Sequence, residues 1–162
     1  MPDLITHVAI GHLIKRPFEL KKSNPAIVPL RTLFYLGTIL PDILTRPWYI
    51  LFPGTLEWTY PFHTPIGMVL TCSLLALLFE SSLRKKAFYY LLGGAGLHFL
   101  LDGCQKHITY NEFWLYPFSW KGFGFRLFWA GDIIPYIPLF IGMVVVMEVC
   151  IYFYQHRKSD KQ

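Results

Sequence analysis

Charge and cysteine are both scarce in this chain. Asp, Glu, Lys and Arg supply 15% of the 162 residues, and the three cysteines, Cys72, Cys104 and Cys150, are far apart with no C-x-x-C spacing. A disulfide framework and a thiolate metal site are thereby excluded, and the cysteines read as small apolar fillers. No internal repeat or low-complexity tract is present. The opening residues MPDLITH place an acid where a signal peptide carries basic residues, so no cleaved leader is expected and His7 stays in the mature chain. The net charge of +5 comes from short clusters between apolar runs rather than from one basic stripe. That pattern fits membrane orientation and gives no reason to expect a nucleic-acid partner.

What the chain has in excess is apolar surface, 54% of its residues. This is more than a soluble domain of this size needs, and it predicts one all-α domain over 1–162, a helical integral membrane protein with about four apolar segments. Residues 65–79, 87–101 and 133–147 are the clearest, each a run of 15. At about 1.5 Å per residue such a run falls short of a hydrocarbon core about 30 Å thick, so flanking residues must extend each helix. The stretch 27–44 is a fourth segment, interrupted by Arg31 and by Pro41 before Asp42, and read as re-entrant or interfacial. The connector beginning at Lys15, the cluster Arg84 to Lys86 and the tail from His156 are basic and belong on the cytoplasmic side. The aromatic loop from Tyr110 to Trp129 suits the headgroup layer, as a plain aromatic belt or as a lipid-binding groove.

Against this background five polar residues stand out: His7, Asp42, His63, His98 and Asp102. Ionisable groups in apolar segments are costly without partners. In GLHFLLD (96–102), His98 and Asp102 are four residues apart and share one helical face, so both side chains can reach one ion. Taken singly, His98 is more often a packing residue than a ligand, Asp42 equally a helix terminator or cap, and His63 a turn residue before Pro65. The charge-derived orientation brings all five to one membrane level, near the outer surface. Nitrogen and carboxylate donors suit a divalent metal, zinc first, with manganese or iron(II) open. One ion, or two sharing a bridging aspartate, would activate water for hydrolysis. The catalytic acid or base is not identified, and Asp132, His107 and Tyr110 are candidates. Asp132 is otherwise a helix cap, and Glu148 faces the bundle or the cytoplasmic edge of the last span.

The motifs THVAIGH (6–12), GTILPD (37–42), HTPIG (63–67), GLHFLLD (96–102) and LYPFS (115–119) occur in an order that resembles the membrane-bound metal-dependent hydrolases. These are small bacterial inner-membrane proteins related to zinc-dependent phospholipase C. The resemblance spans about residues 1–130. It implies a helical, multi-pass inner-membrane hydrolase in which His7, Asp42, His63, His98 and Asp102 bind metal. A lipid-linked ester or phosphoester is then the expected substrate and the bilayer the expected partner. The rival expectation is a non-enzymatic metal-binding membrane protein, a carrier or structural subunit, which would need its ligands near the bilayer midplane.

Overall fold

The computed structural model describes residues 4–20, 27–106 and 113–159. Helix α1 (Leu4–Glu19) is followed by the long α2 (Ile27–Leu51), a short α3 (Leu56–Thr59) and a 3-10 turn, Tyr60–His63. Then come α4 (Pro65–Ala76) and α5 (Ser81–Gly103). Two-residue strands β1 (Gln105–Lys106) and β2 (Phe128–Trp129) pair in parallel, and α6 (Ala130–Ile133), a 3-10 turn and α7 (Ile137–Ser159) complete the chain. The all-α expectation holds, since the one strand pairing closes a loop rather than building a layer.

The core lies where α2, α4 and α5 meet, around Leu40, Met68, Cys72, Leu91, Ala95 and Phe99. Helices α2 and α5 approach backbone to backbone. A Cβ on Gly37 would overlap the carbonyl of Leu91, and a Cβ on Gly94 would overlap the carbonyl of Phe34. Small residues that admit this proximity are a recurrent device of membrane helix packing. Gly11 does the same for α1, whose backbone there lies against the Thr38 and Phe34 side chains of α2.

The stretch expected over 27–44 is one continuous helix to Leu51, and Pro41 does not end it. An internal proline costs about 3 kcal/mol through its lost hydrogen bond and ring clash. Here Thr38, Leu40, Asp42 and Thr45 are all buried around it, so tertiary packing outweighs the break. The hydroxyl of Thr45 donates to the Pro41 carbonyl at 2.9 Å.

Among the described residues, one helical stretch, Gly131–Arg157, is both long and apolar enough to cross a bilayer. Helix α4 has 12 residues, about 18 Å, and falls short. Helices α2 and α5 are long enough, but α2 carries Arg31, Asp42 and Arg46, and α5 opens with Arg84, Lys85 and Lys86 and ends on His98 and Asp102. Helix α7 is fastened to α1 by a polar contact. Glu148 accepts from Arg16 Nε at 2.6 Å and lies 2.8 Å from His12 Nε2, while His12 Nδ1 meets the Tyr35 hydroxyl at 2.7 Å.

Candidate metal centre

Each segment that carries a candidate ligand has a close-packed glycine about one turn from it. His7 precedes Gly11, Asp42 follows Gly37, and His98 follows Gly94, with Asp102 one further turn along the same face of α5. Gly67 lets the carbonyl of Pro61 lie against α4, which folds the Tyr60–His63 turn back over the bundle. Thr64 caps α4 by accepting from the Gly67 amide at 3.2 Å, and Pro65 opens the helix. His63 is therefore held at the mouth of the site by turn and cap together.

Four side chains converge. One donor atom each from Asp42, His63, His98 and Asp102 lies within 4.8 Å of every other. His98 Nε2 is 3.1 Å from His63 Nε2 and 3.3 Å from Asp102 Oδ2. His63 Nε2 stands 3.6 Å from both Asp102 Oδ2 and Asp42 Oδ1. Bonds of about 2.0–2.1 Å from one tetrahedral ion would set its ligand atoms about 3.3 Å apart, close to these four spacings, so the cluster could hold a metal ion. Asp42, His98 and Asp102 side chains are fully buried, and His63 is 14% exposed, so the cluster opens on one side only.

The two carboxylates are used alike. Each turns one oxygen inward and gives the other to a neighbouring donor. Asp42 Oδ2 meets Arg46 Nη2 at 2.5 Å, one turn further along α2. Asp102 Oδ1 accepts from Gln105 Nε2 at 3.2 Å and lies 3.4 Å from His7 Nε2. His7, expected among the ligands, thus sits beside the outward oxygen of Asp102 rather than within the group of four, with its ring stacked on His98 at 4.5 Å between centroids.

Residues 113–129 reach the same end of the bundle. The amides of Phe125 and Leu127 donate to the carbonyls of Gly103 and Cys104 at 2.7 and 2.8 Å, and Gln105 pairs with Phe128. Trp114 packs toward Phe99 and donates to the Phe123 carbonyl at 2.7 Å. Outward from this frame Phe118, Trp120, Phe123 and Phe125 are exposed.

Three participants escaped the sequence reading: Thr38, whose carbonyl faces His98 Nδ1 at 2.9 Å, Arg46 and Gln105. Thr38 and Arg46 flank Asp42 at four residues either way, a signal visible only once α2 is known to run through Pro41. Asp132 binds the Trp129 amide at 3.0 Å, as a cap would, and Glu148 faces α1. His107 and Tyr110 lie outside the described residues. No family model, no curated protein and no solved structure matches this chain.

Proposed function

We propose that this protein is a membrane-bound hydrolase in which Asp42, His63, His98 and Asp102 hold a divalent metal, zinc first, and metal-activated water attacks an ester or phosphoester. One observation carries the metal. His98 Nδ1 lies 2.9 Å from the Thr38 carbonyl, which has no proton to give, so Nδ1 is the N–H donor. The Nε2 lone pair of a neutral ring then points at Asp102 Oδ2, 3.3 Å away, and at a second imidazole nitrogen, 3.1 Å away. A lone pair facing a carboxylate in a buried space needs a proton or a metal ion between them, and two carboxylates with a second imidazole around the same point favour the divalent ion. Arg46 offsets only one of the two carboxylates.

The position and opening of the site support the hydrolase reading. His63 is the partly exposed member of the cluster, the side from which water and substrate would enter, and a bound metal would lower that water's pKa and polarise a carbonyl or phosphoryl oxygen. Asp102 is the penultimate residue of α5, His63 precedes α4 and His7 is in the first turn of α1, so the centre is at one end of the bundle. That favours chemistry at a membrane surface over a carrier, whose ligands belong near the midplane. The apolar stretch Gly131–Arg157 anchors the protein in the bilayer, of the bacterial inner membrane on this account. The exposed aromatics of 113–129 receive the apolar part of a lipid-linked substrate.

The test is an assay of the detergent-purified protein on lipid phosphoesters and acyl esters, with and without chelator. The proposal expects turnover of one class, abolished by chelation and restored by zinc or manganese. Metal-loaded protein inert on both classes would contradict the hydrolase assignment.

A further inference from the structure

We infer that Arg46, Gln105 and His7 are positioning residues that hold both aspartates to one inward oxygen each, and so set the centre's preference for zinc over larger, oxygen-seeking cations. The inference rests on the metal centre proposed above. It concerns residues that donate to the carboxylates rather than to the ion.

The geometry has two halves. On α2, the Arg46 guanidinium takes Asp42 Oδ2 at 2.5 Å, and Asp42 Oδ1 is the oxygen nearest His63. At the end of α5, the Gln105 amide takes Asp102 Oδ1 at 3.2 Å with His7 Nε2 at 3.4 Å from the same atom, and Asp102 Oδ2 is the oxygen facing His63 and His98. Both aspartates thus reach inward with a single atom. Gln105 is 1% exposed, and its amide also donates to the Leu101 carbonyl at 3.3 Å, so it has little freedom to turn away. It is fixed from outside as well, because β1 pairs with β2 at the return of the aromatic loop.

Coordination number follows. Two imidazoles and two one-oxygen carboxylates make four ligands, the number zinc takes in tetrahedral sites. Calcium takes six to eight oxygens and often a bidentate carboxylate, and manganese favours oxygen-rich, six-coordinate sites. A carboxylate released from its outer partner can rotate to give both oxygens to the ion. That raises the coordination number and helps the larger cation at zinc's expense. Zinc binds more tightly than manganese in any such site, so the diagnostic quantity is the ratio of the two affinities compared with wild type.

The experiment titrates zinc alone and manganese alone into metal-stripped full-length protein in detergent, for wild type, Gln105→Ala, Arg46→Met and Arg46→Lys. Helicity and elution volume are checked for each. Losing a group that supports a metal ligand typically weakens binding 10–100-fold. Gln105→Ala and Arg46→Met are expected to lose zinc affinity by about that factor while manganese affinity changes less than about threefold, so the zinc-to-manganese ratio falls about tenfold. Arg46→Lys, which keeps a cation on Asp42, recovers most of the ratio. Equal losses for both metals, or an unchanged ratio in correctly folded variants, overturn the inference and leave the centre standing. Wild-type protein that binds neither metal overturns the centre and the inference together.

Discussion

At the scale of single residues, the Thr38 carbonyl does as much as any ligand, because it decides which nitrogen of His98 carries the proton. No sequence pattern announces a backbone oxygen. The pair His98 and Asp102 was legible, since an imidazole and a carboxylate one helical turn apart in an apolar run share a face whatever the tertiary fold. His63 and Asp42 were legible only as members of a set. Arg46 was hidden by the assumption that Pro41 stops the helix, and Gln105 by the end of α5 at Gly103, beyond which helical spacing no longer relates side chains. His7 was found, but its place against the outward oxygen of Asp102 depends on how α1 packs, which spacing within α1 does not determine. One prediction belongs here. Histidine and carboxylate ligands bind metal only when deprotonated, so acidification must displace it. Zinc affinity is expected to be full near about pH 8 and to fall steeply toward about pH 5, as imidazoles charge. Competition against a chelator of known affinity at each pH measures this, and a flat profile would argue against imidazole ligation.

At the scale of elements, the site depends on how closely helices approach. The overlap that a side chain on Gly37 or Gly94 would create is with backbone carbonyls, which cannot move aside as a flexible side chain would. The variant Gly94→Val is therefore expected to push α5 off α2, costing about 1–3 kcal/mol by overpacking and separating His98 and Asp102 from Asp42. Thermal unfolding in detergent and zinc titration should fall together. A variant with wild-type melting and wild-type zinc affinity would show that the helix crossing is looser than described. Gly96, with open space around its position, is the matched control. Apolar run length located α4, α5 and α7. It did not bound α2, where Pro41, Pro47 and three charged residues interrupt the apolar pattern.

At the scale of the molecule, the exposed apolar surface and the buried polar end have one explanation. Leu70, Leu74, Leu78, Leu100, Val145 and Val146 are more than half exposed, and on the proposed reading a bilayer covers them. Glu148, His12 and Arg16 satisfy one another where α7 meets α1, which on the proposed reading accommodates a charge within a membrane helix. Long apolar runs made the all-α class legible. The expected four apolar segments did not become four spans: among the described residues one helical stretch is long and apolar enough to cross a bilayer.

The central claim is that the four converging side chains hold a metal. The direct measurement is elemental analysis of purified wild type, His98→Ala and Asp102→Ala by inductively coupled plasma mass spectrometry. The account predicts at least one equivalent of zinc, manganese or iron in wild type and loss of tightly bound metal in both variants, with membrane insertion unchanged. Stoichiometric metal retained in both variants, or a wild type that is metal-free and takes up no added divalent ion, would contradict it.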